Sequence, residues 1–237
     1  MRLYPNYMVN DIDVRQLYDT ELRWFGIACP LARRLSLAPG LPSTIMPWPM
    51  SWPGSSICAG CRYHWLRHIP LSERQTRDVP ALLARFLFVN LVGFVGYYIH
   101  PAAPPWYVLE HGFTPVLNTP GSVAGLGRFD TLVGAPVFHS IYCNNSNVFA
   151  AVPSLHAAYM LVATIYAIIS RQHKLCIGIF AFICMGIWWT AVYSTHHYII
   201  DVLLGILTTI VALLILERLL LRTEWAKHFM AQYAKNI

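Results

Sequence analysis

Four long apolar segments constrain this chain more than any other feature of its sequence. They cover residues 81–99, 148–169, 175–193 and 198–216, and each approaches the roughly 20 residues that a helix needs to cross a bilayer core. The composition agrees, since 56% of the residues are hydrophobic and 12% are charged, whereas soluble domains carry about 25% charged residues. This balance excludes a soluble domain, a disordered chain and a disulfide-rich secreted module. We therefore predict an all-α, polytopic bundle of transmembrane helices with four spans.

Basic residues give this bundle an orientation. They cluster before the first apolar segment, in the turn at 170–174 and after the last segment, whereas residues 100–147 contain a single arginine or lysine, Arg128. The positive-inside rule then predicts that both termini and the 170–174 turn are cytoplasmic and that the 100–147 loop lies on the opposite side. The net charge of +6 is accounted for as orientation charge, and we predict no nucleic-acid partner.

The charge and proline pattern divides the chain into three regions. Residues 1–80 are predicted to be irregular and interfacial, 81–221 to form a transmembrane domain, and 222–237 to form a basic cytoplasmic tail. Within the first region, residues 13–27 have the spacing of a short amphipathic helix lying on the membrane surface. The stretch 29–80 is rich in proline and contains a C-x-x-C pair at Cys58 and Cys61. Its spacing to the next histidines does not match zinc modules, so we predict no metal site there. No cofactor is predicted for the chain either.

Ionisable residues at the starts of two apolar segments indicate a functional site. Pro153-Ser154-Leu155-His156 opens the second segment, and His196-His197-Tyr198-Ile199-Ile200-Asp201 opens the fourth. Both segments run from the non-cytoplasmic side inwards, so their starts lie at the same face of the membrane. Because an ionisable group near the bilayer centre costs roughly 2.5–3.5 kcal/mol on insertion scales, such residues are candidates for function.

The spacing of these residues suggests acid–base and nucleophilic chemistry. His197 and Asp201 are four residues apart and therefore neighbours on one helix face. The carboxylate would hold one imidazole nitrogen protonated and leave the other free to attack, while His156 would donate and accept protons from a second helix. With Pro153 at the first helical position, unpaired N–H groups, including that of Ser154, are predicted to bind an anion such as phosphate. The alternative is structural, because interfacial histidines and an aspartate that complements a helix dipole are common.

These motifs resemble those of a known family. The two segments above are similar to the second and third signature motifs of the type-2 phosphatidic acid phosphatase superfamily. A longer run, Pro101-Ala102-Ala103-Pro104-Pro105-Trp106-Tyr107, more closely resembles the fungal inositol phosphorylceramide synthases and their bacterial relatives. The resemblance covers about 86–205 and includes further motifs: Gly127-Arg128-Phe129-Asp130, Asn144-Asn145-Ser146, Trp188-Trp189 and Thr195-His196-His197-Tyr198.

The resemblance implies a phosphotransferase whose site faces the lumen or the periplasm and needs no metal. His197 would attack the phosphorus of a phosphatidylinositol-like donor, and Asp201 would orient it. His156 would protonate the departing diacylglycerol and then deprotonate the hydroxyl of a ceramide-like acceptor. Membrane lipids are thus the implied partners, in a Golgi-type membrane or a bacterial inner membrane.

Substrate-binding roles are predicted for six residues, and two departures from the family pattern bear on them. The family has an arginine six residues before its nucleophilic histidine, where this chain has Ala191. We predict that Arg128 replaces it, with an ion pair to Asp130 as the alternative. Relatives also have six helices, and the stretch 29–80, which reads like an unrelated or frame-altered segment, occupies the place of two of them. The six residues are Arg128, Ser154, Tyr107, Trp106, Asn145 and His196, with the aromatic pair forming a platform at the headgroup level and His196 supporting.

Two other functions remain open at this point. The same histidine pair would serve a lipid phosphate phosphatase that uses water as the acceptor. An inactive membrane scaffold is the second alternative, because the unusual segment at 29–80 would disrupt a required helix pair.

Overall fold

The computed structural model describes residues 4–26, 73–143, 147–220, 222–224 and 232. Within these residues the structure is helical, and only isolated bridges at Asp13, Ala102 and Ala150 have extended pairing, which confirms the all-α prediction. A π turn, Leu216–Leu220, follows the last helix. The α-helices are α1 (Gln16–Phe25), α2 (Glu73–Ile99), α3 (Pro105–His111), α4 (Gly127–Val133), α5 (Val137–Tyr142), α6 (Leu155–Ile169), α7 (Lys174–Tyr193) and α8 (Ile199–Ile215).

Three helices in the described residues are long and apolar enough to cross a membrane, namely Ala81–Ile99 within α2, Lys174–Tyr193 and Ile199–Leu219. The second predicted span, 148–169, is wrong at its start, because α6 begins only at Leu155 and has 15 residues. At 1.5 Å per residue it is about 22 Å long, shorter than a bilayer core. Conversely, α2 begins at Glu73, eight residues before the predicted start at 81. The hydropathy of the sequence identifies only the apolar part of a helix, and the first residues of α2 are polar.

Helix α6 lies at the centre of the bundle and packs against α2, α7 and α8. Its buried positions include many small residues (Ala157, Ala158, Ala163 and Ala167), which let neighbouring membrane helices approach closely. At the end of the bundle away from His156, Arg85 of α2 forms an ion pair with Glu217. Its guanidinium also lies 4.8 Å above the ring centre of Tyr166 in α6. These contacts fix α2 to both α6 and the end of α8.

The starts of α6 and α8 are in direct contact. A Cβ atom built on Gly205 of α8 would clash with the carbonyl oxygen of Ser154, so only glycine permits this separation. The backbone N–H of Ser154 also donates to the carbonyl oxygen of Asp201 at 3.1 Å. The first turn of α6 therefore rests on the first turns of α8, and the residues on both starts are held together.

The N-terminal segment, residues 4–26, packs across the end of the bundle where α2 ends and α6 and α8 begin. Asn6 donates to the carbonyl oxygens of Tyr97 and Phe149 at 2.8 and 2.9 Å. Helix α1 forms within the predicted range, but it buries Leu17 and Glu21 against the protein and does not merely lie on a membrane surface. The sequence predicted that both termini lie on the same side of the membrane. This prediction is wrong for residues 4–26, because they pack where α8 begins and not where α8 ends. Residues 27–72, with the cysteine pair and most of the predicted irregular segment, lie outside the described residues.

We expect Gly205→Ala to destabilise the detergent-solubilised protein, because the added methyl group forces α6 and α8 apart. Overpacking of this kind costs about 1–3 kcal/mol, which thermal unfolding followed by circular dichroism would detect. Gly178 of α7 is a matched control, since a Cβ atom there meets nothing within 4 Å. Equal unfolding temperatures for the Gly205→Ala and Gly178→Ala variants would contradict the close approach.

Candidate active site

The imidazoles of His156 and His197 meet at the site end of the bundle. Nδ1 of His156, in the first turn of α6, lies 3.2 Å from Nε2 of His197, which precedes α8. His156 is exposed, whereas His197 is buried. The two rings come from separate helices and face each other through one pair of nitrogens, as the sequence-based hypothesis required. A hydrogen bond at this distance needs a hydrogen on one nitrogen and a lone pair on the other.

The turn between α7 and α8 fixes the position of His197. The backbone N–H groups of His196 and His197 both donate to the carbonyl oxygen of Ala191, at 3.1 and 3.0 Å. Thr195 has a φ of +61°, a left-handed conformation that is strained for a β-branched residue. Its carbonyl oxygen accepts the backbone N–H of Trp106 at 2.9 Å. Helix α3 thus holds the strained turn that presents the two histidines.

Asp201 lies on the far side of the His197 ring from His156. Its Oδ2 atom is 3.4 Å from Nδ1 of His197 and accepts the backbone N–H of Tyr198 at 2.9 Å. A hydrogen on Nδ1 of His197 would face this carboxylate, which would leave the lone pair on Nε2 and the hydrogen of the histidine contact on Nδ1 of His156. The spacing of four residues predicted this contact.

Burial sets the protonation of the histidine that would attack. Burial lowers the pKa of His197 to about 4, although a backbone hydrogen bond to Ala151 acts in the opposite direction. The ring is therefore neutral at pH 7, which is the state that a nucleophilic imidazole needs.

The predicted anion site at the start of α8 is wrong, because protein carboxylates occupy its N–H groups. Asp201 accepts from Tyr198, as above. The two carboxylate oxygens of Glu21, in α1, accept the backbone N–H groups of Ile199 at 2.8 Å and Ile200 at 3.2 Å. No sequence motif marks Glu21, but it lies four residues after Leu17 on the buried face of an amphipathic helix, where a carboxylate needs a partner.

The predicted role of Ser154 in binding substrate is also contradicted. The residue is fully buried, and it is the N-cap of α6, where its side chain accepts the backbone N–H of Ala157 at 3.4 Å. Pro153 precedes this cap and is not the first residue of the helix. Ser154 thus shapes the start of α6, and His156 follows two residues later.

The aromatic pair in α3 is not a platform at the headgroup level. Trp106 and Tyr107 are 5% and 0% exposed, and the ring of Tyr107 packs edge-on against Phe149. The Tyr107 hydroxyl accepts the backbone N–H of Val116 at 2.7 Å and lies 3.1 Å from the carbonyl oxygen of Thr114, to which it donates. Both residues therefore support the turn and loop around the site from within the core.

A cavity of about 30 Å³ lies beside the histidine pair. His196 lines it and is buried, with Nδ1 3.0 Å from Oγ of Ser194 and its ring 4.5 Å from the ring of Tyr142. Burial lowers the pKa of His196 to about 3, with the charge of His197 acting in the same direction. Sequence reasoning identified His196 but missed five other lining residues, which belong to no recognised motif: Leu126, Tyr142, Ile187, Thr190 and Ser194.

The remaining predicted site residues lie in or near the outer loop. Arg128 is in α4, two residues after Leu126. The carboxylate of Asp130 accepts the backbone N–H groups of Phe138 and His139 at 2.9 and 2.8 Å, so it caps the start of α5. Asn145 lies outside the described residues. Among the residues with described positions, no cluster of three or more His, Cys, Asp and Glu side chains could hold a metal ion.

Comparison with known proteins assigns the chain to a family. Residues 69–215 match the model of the PAP2 superfamily. The chain belongs to the PAP2 superfamily. Over 246 aligned residues it is also 47% identical to the phosphoinositol dihydroceramide synthase of Bacteroides thetaiotaomicron, an alignment that covers 100% of this chain, 29–80 included, and 78% of the relative.

Fungal relatives match a shorter part of the chain. The inositol phosphorylceramide synthase of Candida albicans is 34% identical over 122 residues, which cover 51% of this chain and 25% of the relative. The catalytic subunit of that synthase from Saccharomyces cerevisiae is 34% identical over 119 residues, or 50% and 29% of the two chains. No solved structure matches this PAP2 chain.

An ion pair joins the N-terminal segment to the end of α2 near the site. Oδ2 of Asp13 lies 3.2 Å from Nε2 of His100, and Oδ1 accepts the backbone N–H of Gln16 at 2.8 Å. Burial alone would raise the pKa of Asp13, but these hydrogen bonds outweigh it and lower the pKa below 3.8. The hydrogen bond to Asp13 raises the pKa of His100 above 6.5.

We expect this pair to stabilise the fold within a limited pH window. The Asp13 contribution is present above its unfolded pKa of 3.8 and is lost as the pH falls through its lowered folded pKa. The His100 contribution is present below its unfolded pKa of 6.5 and is lost as the pH rises through its raised folded pKa. The difference in unfolding temperature between the parent and His100→Asn should therefore be largest between pH 3.8 and pH 6.5, where both contributions are present. A difference that does not change with pH would contradict the ion pair.

Proposed function

We propose that this protein transfers a phosphoinositol-type headgroup from a glycerophospholipid to a ceramide-type acceptor, through a phosphohistidine intermediate on His197. The observation that carries the proposal is the direct approach of Nδ1 of His156 to Nε2 of His197, at 3.2 Å, from two separate helices. The names of the bacterial and fungal relatives support the choice of donor headgroup and acceptor.

In the first step, Nε2 of His197 attacks the phosphorus of the donor lipid. A phosphorus–nitrogen bond forms while the bond between phosphorus and the diacylglycerol oxygen breaks. This step requires His156 in its protonated form; its proton goes to that oxygen, so diacylglycerol leaves as a neutral alcohol. Asp201 stabilises the positive charge that develops on the His197 ring, because its carboxylate lies 3.4 Å from Nδ1.

In the second step, neutral His156 takes the proton from the primary hydroxyl of the acceptor. The resulting oxygen attacks the phosphorus and displaces Nε2 of His197, which restores the neutral ring. His156 ends protonated, as it began, so protons and charge balance over the cycle. The contact between the two rings must open in both steps, because a phosphorus atom has to lie between the nitrogens.

The phosphate oxygens need positive or hydrogen-bonding partners from elsewhere, because the backbone N–H groups at the start of α8 already donate to protein carboxylates. We propose that Arg128 serves this purpose, because α4 follows directly on Leu126, which lines the cavity. His196 borders the same cavity and would contact the headgroup, and Asn145 remains a candidate on the same loop. Arginine pairs with phosphate in a bidentate geometry, which suits it to this role.

We further propose that the site faces the lumen or the periplasm. Residues 100–147 contain Arg128 as their only lysine or arginine. The described part of this loop, 100–143, lies at the site end of the bundle, whereas the 170–174 turn lies at the other end. By the positive-inside rule, this distribution supports a site on the non-cytoplasmic face of either a Golgi-type membrane or a bacterial inner membrane.

We expect the purified full-length protein, given phosphatidylinositol and a ceramide in mixed micelles, to form diacylglycerol and an inositol phosphosphingolipid in equal amounts. His156→Ala and His197→Ala should each lower the rate by about 10²–10⁴-fold or more, while Asp201→Asn should leave weak activity. Thin-layer chromatography of labelled lipids measures both products.

The matched control is His139→Ala, because His139 is an exposed histidine on α5 that does not line the cavity; it should leave the rate unchanged. Release of inositol phosphate without a sphingolipid product would favour the phosphatase alternative. Equal turnover by the parent and by His197→Ala would indicate a scaffold with no chemistry at this site.

A further inference from the structure

The carboxylate of Glu21 binds the backbone N–H groups at the start of α8, although Glu21 lies 178 residues before Ile199 in the chain. Both oxygens of Glu21 accept backbone N–H groups of the first helical turn, from Ile199 at 2.8 Å and from Ile200 at 3.2 Å. The side chain is 1% exposed, and α1 supplies it from outside the part of the chain that matches the family model, which begins at residue 69. Hydrogen bonds from a helix start to a buried carboxylate are strong, because the donors carry partial positive charge.

These two N–H groups belong to the turn that carries both functional groups of α8. His197 lies two residues before Ile199, and Asp201 follows Ile200 directly. Tyr198, between them, donates its own N–H to Asp201. A shift of this turn would therefore move the His197 ring relative to His156 and the Asp201 carboxylate relative to His197.

We propose that Glu21 is a positioning residue for the transfer reaction, fixing the first turn of α8 so that His197 faces His156. This inference rests on the proposed function, but it concerns the geometry that any chemistry at His197 would need. It also gives the N-terminal segment a part in the site, although α1 does not touch the cavity.

The remaining contacts of α1 show why the carboxylate is held firmly. Leu17, one turn earlier on the same face, packs in a buried cluster with Tyr198 and Ile200. Asp13 accepts the backbone N–H groups that begin α1 and pairs with His100 at the end of α2. The helix is thus attached at its start, and Glu21 cannot follow a displaced α8 without breaking these contacts.

The test compares Glu21→Ala and Glu21→Gln with the parent in the full-length protein, with kcat normalised to the folded fraction. Glu21→Ala leaves two buried N–H groups without an acceptor, and a misplacement near 1 Å costs about 100-fold in rate. We expect kcat to fall by roughly that factor while KM for both lipids changes by less than about twofold, since ground-state binding is unaffected. Glu21→Gln keeps one acceptor oxygen and should retain more activity than Glu21→Ala.

Two control variants separate positioning from folding. Glu217→Gln breaks the ion pair with Arg85 at the end of the bundle away from the site, and it should lower thermal stability while leaving kcat of the folded protein unchanged. Asp19→Asn removes an exposed carboxylate of α1 and should change neither quantity.

The inference is overturned if Glu21→Gln, or folded Glu21→Ala, turns over at the parent rate, or if Glu217→Gln lowers kcat as much as Glu21→Ala does. Should Glu21→Ala fail to fold, the Glu21→Gln variant decides. If the parent only hydrolyses phosphatidylinositol, the proposed function fails, but the Glu21 comparison is still made on the rate of phosphorus–oxygen cleavage.

Discussion

The close contact between the starts of α6 and α8 determines the rest of the site. Gly205 lets the backbone at Ser154 approach α8, and the Ser154 N–H group donates to the Asp201 carbonyl oxygen at 3.1 Å. His156 follows two residues after Ser154, and His197 lies just before α8. Because both helices start at the same point, two imidazoles that are distant in sequence come within 3.2 Å. If a larger side chain separated the two helices at Gly205, the two imidazoles would no longer be in contact.

The backbone N–H groups around this contact donate hydrogen bonds to groups of the protein. Carboxylates of Glu21 and Asp201 accept the first N–H groups of α8, and Ala191 accepts those of His196 and His197. Buried backbone donors need such partners, and a fully satisfied network is rigid. The site therefore offers side chains, and not a free helix start, to a phosphate group.

The sequence predicted the helical membrane architecture and the pairing of His156, His197 and Asp201, because hydropathy and helical spacing are local properties that the chain displays directly. It did not predict that residues 148–154 are non-helical or that Trp106 and Tyr107 face the core. Those outcomes depend on tertiary contacts, such as the one between Trp106 and Thr195. Glu21 was missed for the same reason, since its partners lie 178 and 179 residues away.

Trapping the covalent intermediate tests the central claim most directly. The protein would be incubated with phosphatidylinositol labelled at phosphorus, without acceptor, quenched in alkali and digested for mass spectrometry. The account predicts inositol phosphate attached to His197, faster in the parent than in His156→Ala and absent in His197→Ala. Label on another residue, or label that persists in His197→Ala, would contradict it.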